Sequence, residues 1–484
     1  MRANVGARTW DTRRLVEPAP IGKAHPVTLA EEPLPLLADY TPAADCYDEA
    51  VDDDGRLRPA SAGALAALAG HDLEQLAVEV ERHCAEEGVV FHSSEGDEVF
   101  LIDPVPRVIG AAEWARVEAG LAQRVRALNA FVADVYGDRR IVAEGVVPAR
   151  VIESAECLEP QMQGIEPPGG LWIGIAGLDL VRGDDGRLRV LEDNARTPSG
   201  FAYAAAARRA LVAHLDVPAA HHPRTLDALP SMLRDTLDAA SPAAARTRAV
   251  VLTDGEDNAA YYEHEWAAAQ LGIPLLERED LDLDAVDVVY RRTNADRLDT
   301  AVGRQLFEPV RAGKIGVVNA FGSGVADDKL THAYVEDMIR FYEDEEPLLP
   351  SVETFDLGDP AVLERALDVF DELVVKPRGG YGGEGVAVLP HAEEWDIEAA
   401  RKAVRERPED FVAQRMVMIS CHPTVIGGAL EPRHVDLRPY VFLGRDGDAR
   451  VPPGGLTRVA FDDGALVVNS SQNGGAKDTW VLSR

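Results

Sequence analysis

The sequence predicts a mixed α/β (α+β) protein of more than one domain, and three observations carry that prediction. Residues 248–292 read strand, helix, strand, strand, with connections of βαβ length. Residues 351–484 return repeatedly to short hairpin-like strands: LVVKP, GVAVL, FVAQRMV, VDLRPYVFLG, TRVAF and ALVVNSS. Residues 61–137 instead carry long runs with helical spacing. At 484 residues the chain is too long for one ordinary core, and 46% apolar residues are enough for two or three.

Taken in order, residues 1–45 are Pro-rich and aperiodic and predict an extended arm. Residues 46–145 predict a helix-rich module. Leu65, Leu68, Leu73, Leu76 and Val80 fall at helical spacing, and EVFLIDPVPRVI reads as a strand running into a Pro turn. AAEWARVEAGLAQRVRALNAFVADVYGD is a long amphipathic helix closed by Gly137. Residues 146–245 hold a hairpin: LWIGIAGLDLV, a turn at Asp185-Gly186, then RLRVLEDNA. A helix follows from about residue 200, then a Pro- and Ala-rich connection. Residues 246–325 form the small βαβ unit: RAVVLTDG, a helix over 258–271, GIPLLE, DVVYRR and KIGVVNAFGSG. Residues 326–484 carry the late strands. No internal repeat of fixed period stands out.

Composition narrows the function. Net charge is −34, from 83 acidic and 49 basic residues. Such a surface repels nucleic acid and anionic lipid, which argues against both as partners. Six of the 49 basic residues are lysines (Lys23, Lys314, Lys329, Lys376, Lys402 and Lys477). An arginine-rich acidic chain fits either a salt-rich cytoplasm or plain acidic composition. Cys46, Cys84, Cys157 and Cys421 lie far apart with no CxxC, and predict reduced thiols in a cytoplasmic protein. The N-terminus lacks an apolar leader core, and two arginines interrupt AYAAAARRALVAHL, so no signal peptide or membrane span is expected.

Three stretches carry chemistry. KPRGGYGGEGV, 376–386, places Lys376 before Gly379, Gly380, Gly382, Gly383 and Gly385. Glycine lets backbone N–H groups approach an anion, and the lysine adds charge. The loop lacks the P-loop pattern and the helix of a dinucleotide turn. It reads as a hairpin lid over phosphates, or as a tight turn with an incidental lysine. In the hairpin 177–200, Asp179 ends one strand, and Glu192 and Asn194 lie two apart on the next, facing one side. Three oxygens on adjacent strands suit Mg²⁺, although solvated surface acids are the plain alternative. Arg438 sits in the apolar strand VDLRPYVFL, where it needs an anionic partner, either a substrate group or a carboxylate. Together these suggest an ATP–Mg site.

This constellation resembles the ATP-grasp superfamily, in its circularly permuted branch, whose plan is that of glutathionylspermidine synthetase. The metal hairpin precedes the lysine–glycine loop by some 180 residues, which reverses the ordinary order. Stretches from VLEDNARTPSG and NAFGSGVADDKL to GGLTRVA and NGGAKDTWVL carry the likeness over about 46–484. The resemblance implies a circularly permuted ATP-grasp fold, with residues 146–245 as its metal-ligand part, 326–484 as its lysine and glycine-loop part, and 246–325 as a pre-ATP-grasp-like domain. It implies that Lys376 and Lys329 hold ATP phosphates, that Gly379 to Gly385 cover them, and that Gln414 lies against adenine. It implies Mg²⁺ on Asp179, Glu192 and Asn194, and charge stabilisation at the transferring phosphoryl group by Arg438, assisted by Arg458. Lys329, Lys376 and Lys477 all fall in these motifs, which suggests phosphate contacts that arginine fills less well. Arg291 and Arg292, ending DVVYRR, are candidates to clamp a substrate carboxylate or are salt-bridged structural residues.

The expected activity is ATP-dependent ligation of a small-molecule or peptide carboxylate to an amine through an acylphosphate. The alternatives are a phosphotransferase and a non-catalytic nucleotide-binding partner protein. Cys421 and His422 are strand neighbours and point to opposite faces, so they form no nucleophile pair. His264 in YYEHEW reads as packed or capped.

Overall fold

Six strands form the spine of a computed structural model that describes residues 34–483 apart from 45, 94–95, 244–246, 380–384, 463 and 466–473. Their order is Ile102–Ile109, Gly474–Val481, Gly455–Ala460, Ala429–Leu443, Ile175–Arg182 and Leu188–Asn194. Neighbours run antiparallel, except that 474–481 and 102–109 are parallel. Cys421–Ile426 and Ala449–Arg450 add to the long strand 429–443. The expected Pro turn after residue 102 does not form. Pro104 and Pro106 lie inside strand 102–109, which is the outermost strand of this order, where a missing N–H leaves no ladder partner unsatisfied.

The long helix Ala111–Val135 buries Trp114, Val117, Leu121, Val125, Leu128, Val132 and Val135. Their three- and four-residue spacing places them on one face, as the sequence predicts. Helix Leu73–Glu86 starts where Asp72 accepts a hydrogen bond from the Gln75 amide at 3.1 Å.

The βαβ unit is present. Leu275–Leu276, Ala249–Thr253, Val288–Arg292 and Gly316–Val318 form an all-parallel sheet, with helices Tyr261–Leu271 and Ala301–Arg311 in its connections. A third sheet orders Thr354–Asp356, Phe411–Arg415, Leu373–Pro377 and Ala387–Val388. It has its own core, in which Phe355, Phe370, Leu373, Val375, Val404 and Ala413 are buried apart from the main cluster. Among the described residues no helix is long and apolar enough to cross a membrane.

One expectation is corrected here. Cys46 and Cys421 form a disulfide across a separation of 375 residues, so two of the four cysteines are not free thiols. Cys84 and Cys157 are free. The bond ties residue 46 to strand 421–426, beside the parallel bridge between Asp48 and Cys421. The sequence hides this pairing because the contact is entirely tertiary.

Candidate functional site

The hairpin places its acids as the alternation predicts. Asp179 pairs in register with Glu192, and Gly177 with Asn194, with an irregularity after Asp179. Cross-strand partners share a face, so Asp179, Glu192 and Asn194 project together. Asp179 does not end its strand, which runs on to Arg182.

Asp179 is the hub of a buried cluster. Arg438 donates to both its oxygens, at 2.5 and 2.7 Å, and Arg458 donates to it at 2.9 Å. Arg458 also pairs with Asp436. The register accounts for this: Asp436 lies opposite Arg458, and Leu437 opposite Leu180. Burial alone would raise the Asp179 carboxyl, but the Arg438 and Arg458 guanidiniums hold it down to about 2. For Asp436 burial wins over Arg458, and its carboxyl is raised. Arg438 and Arg458 thus have fixed carboxylate partners.

Lys376 lies on strand 373–377, opposite Val412. Burial lowers its pKa. Glu192 opposes that shift, Lys329 adds to it, and Asp179 opposes it again. Glu192, Lys329 and Asp179 thus all act electrostatically on Lys376. Lys329 opens the short helix Lys329–His332, whose N-cap Asp328 accepts from Leu330 N and pairs with Arg378 at 2.7 Å.

A cavity of about 10 Å³ gathers four of the predicted residues. Glu192, Lys329, Lys376 and Gln414 line it, together with Asp193 and His332. It sits at the edge of strand 188–194. There the Gln414 side-chain amide donates to Leu191 O at 3.2 Å and to Thr354 Oγ1 at 3.0 Å.

Of the lid glycines, Gly380, Gly382 and Gly383 lie outside the described residues. Gly385 has φ +72, a backbone that favours glycine, and Gly379 comes near Glu156.

The two arginines expected to clamp substrate are not brought to this cavity. Arg291 is 1% exposed; it donates to the carbonyls of Asp296 and Asn319 and lies over the Phe321 ring. Arg292 donates to Pro198 O at 2.8 Å and to Glu263 at 3.3 Å. Glu263 in turn accepts from Gly200 N and Ala202 N at the start of helix Phe201–His214. Both guanidiniums thus serve as internal struts. Alternation along a fully buried parallel strand cannot say which neighbours meet its side chains.

Lys477 is likewise corrected. It is fully buried, pairs with Asp103 and donates to Pro423 O at 2.9 Å, so it braces the central sheet and is no phosphate contact. His264 is packed, with Nδ1 2.9 Å from Thr253 Oγ1. Cys421 lies opposite His434, and His422 is buried against its own chain.

Sequence reasoning missed a second buried network. Arg124 donates to Asp193 at 2.6 and 2.7 Å, and His332 Nδ1 lies 2.7 Å from Asp193 Oδ2. Burial would raise the Asp193 carboxyl, but Arg124 and His332 hold it well below the usual range. Two signals were available: Asp193 alternates with Glu192 and Asn194, and His332 follows Lys329 by three residues, one helical turn.

Comparison with known proteins shows the family and the fold. The family described as circularly permuted ATP-grasp type 2 matches residues 106–460. A Frankia casuarinae protein provisionally named a glutamate–cysteine ligase is 41% identical over 511 residues, which take in 99% of this chain and 58% of that protein. The chain therefore spans less than two thirds of that relative. An uncharacterised Synechocystis protein is 40% identical, with 92% of this chain and 98% of that protein aligned. The solved apo structure of a glutathione synthetase-like effector from Globodera pallida shares the fold, at a TM-score of 0.58 and 11% identity. The match covers 85% of this chain and 97% of that one.

Proposed function

The chain belongs to the circularly permuted ATP-grasp type 2 family, and we propose that it is an ATP-dependent ligase joining a carboxylate to an amine. The observation that carries this reading is the meeting of Lys329, Lys376, Glu192 and Gln414 on one cavity beside the Asp179–Arg438–Arg458 cluster. Two lysines give a polyphosphate its counter-charge, and buried arginines held by carboxylates are ready where charge develops.

Glu192 and Asn194 fit a divalent cation. They share a face, and the Asn194 side-chain amide has a buried end with no partner among the described residues. Either end of that amide can point outward, so an oxygen can stand there. Asp179 fits less directly, since its oxygens already accept from two arginines. Its role in this reading is to position Arg438 and Arg458. A Mg²⁺ held by Glu192 and Asn194 would neutralise phosphate charge.

The reaction balances without a protein nucleophile. The substrate carboxylate attacks the γ-phosphorus, the Pγ–O bond to the β-phosphate breaks, and ADP leaves. The amine nitrogen then attacks the acyl carbon of the acylphosphate. The C–O bond to phosphate breaks, inorganic phosphate departs and the amine proton is lost to solvent. Arg438 and Arg458 hold charge on the transferring group, and Lys376 and Lys329 orient the polyphosphate. A water-sized cavity excludes a base, so nucleotide entry in this reading separates the 354–415 sheet from strand 188–194.

The test is ADP release from Mg–ATP with pooled carboxylates, with and without pooled amines, comparing wild type and Glu192→Ala. Amine-stimulated release that disappears in the variant is expected. Release that amines leave unchanged would replace ligation with simple phosphoryl transfer. Tight ATP binding with no turnover in any pool would favour a binding protein.

A further inference from the structure

Cys46 Sγ, Cys421 Sγ and a ring nitrogen of His434 lie within 4.8 Å of one another, and none of these residues lines the candidate nucleotide cavity. Local pairing brings them together. Cys421 opens strand 421–426, and the antiparallel register sets His434 of strand 429–443 directly opposite, so the two side chains share a face. Cys46 comes from the segment that runs beside this strand, where Cys421 N donates to Tyr47 O at 2.8 Å and Glu49 N donates to Cys421 O at 3.0 Å. Cys421 is buried, whereas Cys46 and His434 are half-buried. His434 Nδ1 lies 2.8 Å from Ile419 O and 3.5 Å from Cys421 Sγ. A carbonyl oxygen can only accept, which puts the ring hydrogen on Nδ1 and the lone pair on Nε2. A backbone carbonyl that holds one ring N–H is the usual support of an imidazole whose other nitrogen binds a metal.

The disulfide engages both sulfurs and leaves the imidazole without a part in the bond. Reduction changes that. A dithiol supplies two electrons and two protons, the S–S bond breaks, the dithiol closes its own disulfide, and two thiols stand beside His434. A zinc ion can then displace the two thiol protons and take two thiolates and one imidazole nitrogen, with water in the fourth position. Bond lengths of about 2.3 Å to sulfur and about 2.0 Å to nitrogen set tetrahedral ligands about 3.8 Å apart for two sulfurs and about 3.5 Å apart for sulfur and nitrogen. The Cα atoms of Cys46 and Cys421 are 6.1 Å apart, so rotation about the Cα–Cβ bonds opens the sulfurs to that separation with the backbone in place. We propose that Cys46, Cys421 and His434 form a zinc site that is available only in the reduced protein, where a metal clip takes over the 375-residue cross-link from the disulfide. The inference is independent of the nucleotide site proposed above.

The test uses the full chain, reduced by a dithiol that is then removed without air, and titrated with Co²⁺ as a coloured stand-in for Zn²⁺. Sulfur-to-cobalt charge-transfer absorption is expected, saturating at equimolar metal and disappearing when Zn²⁺ displaces Co²⁺. The oxidised chain should show none of it. Oxygen ligands such as Glu192 give no such band, so cobalt at the nucleotide site does not imitate the result. Cys46→Ser should lose most of the band, and His434→Gln should weaken Co²⁺ binding about 10-fold or more. Replacing the free thiols Cys84 and Cys157 with alanine should leave the band in place. Zn²⁺ should also restore the unfolding midpoint that reduction in the presence of a chelator lowers. Reduced wild type without the charge-transfer band would overturn the proposal with no variant having to fold. A full band in Cys46→Ser would overturn it too and place the metal on Cys84 or Cys157. Unchanged Co²⁺ affinity in His434→Gln would remove the imidazole from the site and refute it as drawn.

Discussion

Lys376→Met should make the nucleotide-free protein more stable while removing its response to ATP. Lys376 is half-buried; desolvation of its ammonium lowers its pKa, and Lys329 lowers it further against the pull of Glu192 and Asp179. Methionine keeps the length of the stem and removes the charge. Replacing a buried ion pair or triad with apolar residues is often neutral or stabilising by about 1–4 kcal/mol, and a single half-buried ammonium whose burial its neighbours only partly compensate releases less. Glu192 and Asp179 return part of the cost here, so about 1–2 kcal/mol is expected, a rise of roughly 1–2 °C in the unfolding midpoint of a chain this long. With ATP at about 100 times its Kd, wild type gains about 2.7 kcal/mol from binding. Losing a charge-assisted phosphate contact costs about 2–3 kcal/mol, about 10²-fold in Kd, which leaves a gain of about 0.4 kcal/mol at the same ATP concentration. Differential scanning fluorimetry with and without Mg–ATP reads both numbers. The pH dependence supplies a sign. An unfolded lysine keeps its proton to about 10.5, whereas the folded Lys376 releases it at lower pH. In that interval the unfolded state binds more protons, so wild-type stability rises with pH and the advantage of methionine shrinks as pH approaches 10. A Lys376→Met protein less stable than wild type without nucleotide, or one with an unchanged ATP shift, would refute the reasoning.

Further outcomes follow from the same geometry. Arg438→Lys replaces a fork that spans both Asp179 oxygens with a single ammonium; kcat should fall about 10²–10³-fold, with the Kd for ATP within about threefold of wild type by stopped-flow and equilibrium binding. Arg124→Leu leaves the buried Asp193 carboxylate without its main counter-charge and should cost about 3–5 kcal/mol in urea denaturation. Cys46→Ser should lower stability by about 2–4 kcal/mol, and a reductant should lower wild type to match but leave the variant unchanged.

What the sequence determined by itself was local or periodic. The one-sided apolar spacing of helix 111–135, the parallel unit from Ala249 to Val318, and the shared face of Glu192 and Asn194 all follow from 3.6- and 2-residue repeats, which depend only on the backbone. The motifs LEDN, DDKL, VVKP and VAQR could be named one by one for the same reason. Their convergence on one cavity, from strands in two sheets and a short helix, was decided by strand order, which no periodicity encodes. Partner choice was decided there as well. Lys477 and Arg291 carry the same charges as Lys376 and Arg438, yet the first two brace the interior, whereas Lys376 lines the candidate cavity and Arg438 pairs with Asp179. A charge in a buried strand must be met by an opposite group, and which group meets it depends on what packs across the sheet. The disulfide between Cys46 and Cys421, and the Arg124–Asp193–His332 network, belong to the same class. Each joins residues distant in sequence, brought within reach by the packing of the whole domain.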